Sequence, residues 1–273
     1  MEARAEPWPF TESSGDRVFR NRCVAPVSTQ GGGTMSVKVE WVGHACFRVW
    51  REGGPVIVMD PYTPKTVYLP EDAARVDGDT VIVSSLTDDA HGYPELVRGR
   101  RRVIDALDVV ENGLEIEVDG SPLVTVGAAE SPIHDSGSPK DNALYALQVG
   151  GVWVMHMGDL GYGLPREEVA PFEGRCDVML AIVGQYNTLS LPDLDAMIDH
   201  LKPRWIVPMH FALPPVSGPM RPLREFLDRR REDPLIFPRS SVVEFPIDLP
   251  VLDRPTIVAL EPSGYQPTAG LED

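Results

Sequence analysis

Three apolar runs in this chain stop on residues that bind protons or metals. Val81-Ile82-Val83 runs into SSLTDDAH, Ser84 to His91; Val152-Trp153-Val154-Met155 into His156; and Trp205-Ile206-Val207-Pro208-Met209 into His210. A fourth run, Leu123 to Val126, leads through GAAESPIHD to His134 and Asp135. Short runs without a polar face are the pattern of strands buried on both sides, which need cover from other layers. Loops at the carboxyl ends of such strands are where α/β folds assemble their sites. Four of the six histidines therefore arrive at strand ends, together with Asp88, Asp89 and Asp159.

The order of elements narrows the architecture. Val37, Val39 and Trp41 alternate with Lys38 and Glu40, and Phe47 to Trp50 and Val56 to Met59 follow across a Gly53-Gly54 turn. This predicts antiparallel strands joined by hairpins. Leu114 to Val118 also alternates, and Ala143 to Val149 and Val152 to Met155 flank Gly150-Gly151. After Gly161 the pattern becomes helical and apolar by turns. Helices are expected at Leu164–Phe172, at Ser190–Leu201 and at Leu223–Arg231, with strands at Val178–Val183 and Trp205–Met209. Ser190 is placed to cap its helix, with Pro192 in the first turn. Hairpins first and α/β units second fit two mixed sheets packed face to face with helices outside. Residues 1–34 end in STQGGGT and read as a flexible arm, or as an extension ahead of a start near Met35, leaving 35–273 as a single domain.

Composition removes several classes. With 41 acidic against 25 basic residues the formal charge is −16, which repels phosphate backbones and anionic membranes. RGRRR, Arg98 to Arg102, and Arg229 to Arg231 read as solvated faces, so no nucleic-acid partner is expected. No apolar stretch is long enough to span a bilayer, and the first residues lack an apolar core like that of a secretory signal. The three cysteines, Cys23, Cys46 and Cys176, are scattered and read as thiols of a reducing compartment. A cytoplasmic protein without membrane contact is expected, acting on a small molecule.

Each polar strand end has an ordinary reading beside the chemical one. Asp88-Asp89 can cap a helix, Asp159 can serve a turn, and His44 can fill the turn between two strands. His156 can point either way, and His200 suits the negative end of its helix. Taken jointly, imidazoles and carboxylates from separate strands are the donors preferred by Zn²⁺, Mn²⁺ or Fe²⁺.

WVGHACF with PVIVMDPY, then VIVSSLTDDAH, ESPIHD, GVWVMHMGDLG and AIVGQYNTLSLPDLDAMIDHLKPRWIVPMH together resemble the metallo-β-lactamase superfamily, in a branch similar to L-ascorbate-6-phosphate lactonase. The likeness covers residues 36–230 and implies an αββα sandwich of two mixed sheets flanked by helices. The resemblance also implies a ligand motif, His-x-His-x-Asp-His, followed by a His, a bridging Asp and a final His. The later three fall on His134, Asp159 and His210. The first motif departs from the pattern. With its last His on His91, its other positions are Leu86, Asp88 and Ala90. Shifted back by one, they fall on Ser85, Thr87, Asp89 and Ala90, leaving His91 outside.

The first register leaves a reduced site with metal ligands among His91, His134, Asp159, His210 and Asp88. Asp88, Asp89 and His44 are then candidates for acid–base roles, His44 as a donor or proton carrier beside the ion. The expected function is hydrolysis of an ester, lactone, amide or phosphodiester by a metal-activated water. The alternative is a metal-free pocket that binds a ligand or does acid–base chemistry. A third class is a partner-binding protein, for which no residue names a partner. Loops 60–70 and 211–222, with Tyr62, Tyr68 and Phe211, are expected to rim the site.

Overall fold

A computed structural model describes residues 36–65, 75–133, 135, 137–213, 219–246 and 252–264. The expected arm, Cys23, Tyr68 and His134 lie outside the described residues.

The first sheet is built from β1 (Val37–Gly43), β2 (Cys46–Trp50), β3 (Ile57–Met59), β4 (Thr80–Val83) and β5 (Arg102–Asp105). The second is built from β6 (Val124–Ala128), β7 (Asn142–Val149), β8 (Val152–His156), β9 (Val178–Ile182) and β10 (Trp205–Met209). Three strands near the end of the chain complete both: β11 (Leu235–Ile236), β12 (Val242–Phe245) and β13 (Thr256–Val258). The sheet orders are β12-β1-β2-β3-β4-β5 and β6-β7-β8-β9-β10-β13-β11. Both are mixed. Hairpin-linked strands pair antiparallel, and strands that cross over pair parallel, as in β3–β4 and β8–β9. This is the α/β sandwich expected.

Period-two alternation sorts the first sheet's side chains between two cores. Val37, Val39, Trp41, Phe47, Ile57, Met59 and Ile82 join the main core shared with the second sheet. Val42, Cys46, Val58, Val81 and Val83 face the other way, into a smaller cluster with Tyr62, Val76 and Val97. In the second sheet β9 and β10 are buried at every position, which explains their uninterrupted apolar sequence. Helices α1 (Ala106–Glu111), α2 (Arg166–Val169), α3 (Leu191–Leu201) and α4 (Leu223–Arg229) supply cover. Helix α3 starts where expected, with the Ser190 hydroxyl accepting from Asp193 N–H, and buries Leu194, Met197, Ile198 and Leu201. None of the helices is long and apolar enough to cross a membrane, among the described residues.

Several local expectations need correction. The alternating Leu114–Val118 is no full strand. Only Glu117–Val118 pairs, with Ser121–Pro122, because the segment crosses the surface and leaves Leu114 exposed. The helix expected at Leu164–Phe172 begins after Pro165 and tightens to a 3₁₀ turn at Ala170–Phe172, where Pro171 removes a donor. The last helix ends at Arg229, two residues early. Helix α1 was not anticipated. Its signal was Asp105, whose carboxylate accepts from Leu107 and Asp108 N–H.

The basic run Arg98 to Arg102 is charge-matched locally. Arg98 pairs with Asp77, Arg100 with Glu95 and Arg101 with Asp79, while Arg102 donates to the Glu117 carbonyl.

Candidate metal centre

The carboxyl ends of β3, β4, β8 and β10 converge on the turn between β1 and β2, where the two sheets are stitched together. The His44 carbonyl accepts from Trp41 Nε1 and from the His210 N–H, each at 3.0 Å. Ala143 N–H reaches the Ser84 carbonyl at 3.0 Å. Three residues here, His44 (φ 50°), Asp60 (φ 43°) and His210 (φ 55°), hold left-handed backbone without being glycine. Such conformations persist only where surrounding bonds enforce them, and they gather at functional sites.

Asp60 is the hub. It is fully buried, and its carboxylate accepts four hydrogen bonds: from Ser84 N–H and Oγ, each at 2.8 Å, from the Tyr145 hydroxyl at 2.8 Å, and from His91 Nδ1 at 2.9 Å. Burial alone pushes this carboxyl up. The neighbouring His156 and His91 and the Ser84 bond outweigh it and hold the group below its ordinary range. With Nδ1 committed to Asp60, His91 presents Nε2 outward. That is the arrangement by which a carboxylate fixes the tautomer of a metal-binding histidine.

His91 Nε2 lies 3.7 Å and His210 Nε2 3.5 Å from Asp159 Oδ1, too far for good hydrogen bonds. Asp159 is aimed by its own N–H, which donates to Asn142 Oδ1 at 2.9 Å. Ring nitrogens of His44, His91 and His210 lie within 4.8 Å of one another, as do the ligand atoms of Asp88, His91 and Asp159. Buried atoms left without a hydrogen bond include His91 Nε2, Asp159 Oδ1, Asp88 Oδ2, His210 Nδ1 and both nitrogens of His44. Unpartnered buried polar atoms are rare, and a gathering of lone-pair donors calls for a cation.

Charge follows the same geometry. Burial lowers the affinity of His91 for a proton, but Asp159, Asp60 and Asp88 more than reverse this and raise its pKa to about 10. His210 is pushed down to about 3 by burial and then by His91. His44 is pushed well below its ordinary value by burial, His210, His91 and His156. Asp159 is raised to about 6 by burial, with His91 opposing and Asp88 and Asp60 adding to the rise.

The remaining sequence candidates are placed differently. His156 donates from Nε2 to the Ala45 carbonyl at 2.8 Å, accepts the Gly158 N–H at Nδ1, and stacks on Tyr145. Both its nitrogens are used, so it braces the site rather than joining the donor cluster. Asp88 is half-buried and within the cluster, whereas Asp89 and Leu86 face solvent, Leu86 at 49% exposure. Ala90 packs against the smaller core. Of the two rim loops, Tyr62 is fully buried and edges onto the His44 ring, and Phe211 is buried against Trp41. Asp60 appeared in the sequence only as the end of a strand. Glu130 also belongs to the surroundings of Asp88 and Asp159. Its carboxyl is raised to about 8 by burial and by Asp88, Asp159 and Asp141. No local spacing distinguishes it from a surface acid.

The model of a family described as the Beta-lactamase superfamily domain matches residues 38–210. The chain belongs to this superfamily. It is similar to a UPF0173 metal-dependent hydrolase of Anaeromyxobacter sp. (strain K), with 28% identity over 75% of this chain and 86% of that one. A UPF0173 metal-dependent hydrolase of Pyrococcus horikoshii is also 28% identical, over 76% of this chain and 99% of its own length. Among solved structures it resembles one from Thermotoga maritima named as a Zn-dependent hydrolase of the metallo-beta-lactamase superfamily. That match has a TM-score of 0.60 and 26% identity, covering 82% of this chain and 99% of the other. A metallo hydrolase from Ignicoccus hospitalis, 18% identical with a TM-score of 0.53 over 78% of this chain and 100% of its own, shares the fold.

Proposed function

We propose that this chain is a metal-dependent hydrolase of a small ester, lactone, amide or phosphodiester, with the metal held by His91, Asp159 and His210 and approached by Asp88. The observation that carries this reading is the gathering of His91 Nε2 and His210 Nε2 on Asp159 Oδ1, with His91 Nε2 and Asp159 Oδ1 buried and left without hydrogen bonds. The name shared by the relatives, metal-dependent hydrolase, supports it. His134 belongs to the proposal only through its place in the motif.

The chemistry such an ion supplies is Lewis acidity, which brings a water's pKa to about 7 and draws charge from a carbonyl or phosphoryl oxygen. The chain's residues do the rest. Asp60 locks the His91 ring through Nδ1, so that Nε2 is the nitrogen left to take an ion once its proton is displaced. Asn142 sets Asp159 through its backbone. Glu130, protonated at neutral pH in the metal-free centre, stands near Asp88 and Asp159 as a group able to hold a proton close to the reaction. Zinc, manganese and iron(II) all suit an imidazole and carboxylate set.

The test is elemental analysis of the purified protein, then hydrolysis of a panel of chromogenic esters, lactones and phosphodiesters before and after chelation. The expected result is one or more bound ions, activity lost on chelation and activity restored by the ion. A protein that takes up no metal, or whose hydrolysis ignores chelation, overturns the proposal and leaves the metal-free pocket as the better reading.

A further inference from the structure

His44 is unlike the other imidazoles of the centre. His91 spends one nitrogen on Asp60, and His210 has Nε2 beside Asp159. Neither nitrogen of His44 has any hydrogen-bond partner, and the residue is buried at 6% exposure. A neutral imidazole carries one N–H and one lone pair, so both halves of its hydrogen-bonding capacity go unmet.

The ring cannot easily turn away. Its backbone sits at φ 50°, directly after Gly43 at φ 146°, and its carbonyl is held from two sides by Trp41 and His210. The Tyr62 ring closes one side with an edge contact at 6.0 Å. The His210 ring lies 4.2 Å away and the His91 ring 5.2 Å away, centroid to centroid. A residue whose only task was to fill a turn would not need a buried imidazole in this place.

We infer that His44 is itself a metal ligand, the third imidazole beside His91 and His210, rather than a donor or proton carrier next to the ion. This inference rests on the metal-centre reading above and deepens it. His44, His91 and His210 share one cluster, with a ring nitrogen of each within 4.8 Å of the others, and Asp159 clusters with Asp88 and the same His91. The turn between β1 and β2 thereby becomes part of the centre and supplies a donor that the stretch from Ser84 to His91 lacks at Leu86 and Ala90.

The experiment compares the full-length protein with His44→Gln and His134→Gln, each stripped and reloaded with Zn²⁺. X-ray absorption counts the imidazoles on the ion, and a competition titration gives the affinity. His44→Gln is expected to lose one imidazole and to bind at least about tenfold more weakly, at the lower end of what disturbing a metal-histidine site costs. His134→Gln is the control for an imidazole contributed from the other loop. An unchanged imidazole count and affinity in His44→Gln overturns the inference while leaving the metal-dependent reading intact. A wild-type protein that binds no metal overturns both, and so is told apart from that result. Circular dichroism of the metal-free variant checks its fold. If His44→Gln does not fold, ¹¹³Cd-loaded wild type with ¹⁵N-labelled histidine decides. Coupling from cadmium to a His44 ring nitrogen supports direct ligation, and its absence overturns it.

Discussion

At the scale of single residues, Asp60 and His91 carry the most consequence. Asp60 accepts four hydrogen bonds with no solvent nearby, and an asparagine there offers only one acceptor oxygen and turns an amide toward its donors. Asp60→Asn is therefore expected to lower metal affinity about 10–100-fold by releasing the His91 ring. It should also cost stability, on the order of 3–5 kcal/mol for breaking a buried charged network. Metal titration of the folded variant, alongside its denaturant midpoint, separates the two effects. Unchanged affinity would show that His91 does not need Asp60 to present Nε2. His91 predicts a pH dependence as well. Its folded pKa of about 10 exceeds the ordinary histidine value, so the metal-free centre carries a proton on His91 below that pH. Metal must displace this proton. Affinity is then expected to climb with pH toward about 10, approaching tenfold per unit while His91 alone titrates. In the metal-free protein the sign is opposite. The raised pKa contributes stability that is fully present below about 6.5 and lost as pH rises through about 10. A metal-induced melting shift that stays flat between pH 6.5 and 9 would contradict the coupling.

At the scale of elements, glycines decide where strand ends can come together. A Cβ on Gly184 would lie 1.9 Å from the His210 carbonyl oxygen, so alanine there forces the ends of β9 and β10 apart. Gly184→Ala is expected to cost roughly 1–3 kcal/mol of overpacking and to weaken metal binding with it, because His210 moves. Gly174→Ala makes the contrast. It has a left-handed φ of +72° with nothing within 4 Å, so it should cost stability through backbone strain and leave metal affinity alone. Equal effects on metal binding from the two variants would refute this assignment. Elements also show where sequence reading reached and where it stopped. Strands β9 and β10 were legible because burial on both faces forbids polar residues in them. The partners β12 and β13 were not, since short strands late in the chain owe their pairing to neighbours already in place. Leu114–Val118 had the right alternation, but only Glu117–Val118 found a partner strand. At the centre itself, His91, Asp159 and His210 were visible as polar stops after apolar runs. Asp60 was visible only as a strand end, and His44 as a turn residue or a donor beside the ion, because what they do depends on a second sheet arriving across the sandwich.

At the scale of the whole molecule, the centre is a seam. The candidate donors come from both sheets: His44 and His91 from the first, Asp159 and His210 from the second. Any ion held between them ties the layers together and binds the native state alone, because unfolding scatters donors spread over more than a hundred residues of chain. At free metal about a hundred times its dissociation constant, this linkage adds about 2.7 kcal/mol. A domain of this size shifts by about 2–4 °C per kcal/mol, so chelation is expected to lower the melting temperature by roughly 5–10 °C. The shift should grow with metal concentration, as linkage requires, and should shrink when a donor is removed from either side. His44→Gln in the first sheet and Asp159→Asn in the second are the two to compare by calorimetry. If the ion bridges the sheets, both variants lose most of the metal-dependent stabilisation. If only Asp159→Asn loses it, the ion is held from the second sheet and His91 alone, and the β1–β2 turn stands beside the centre rather than in it.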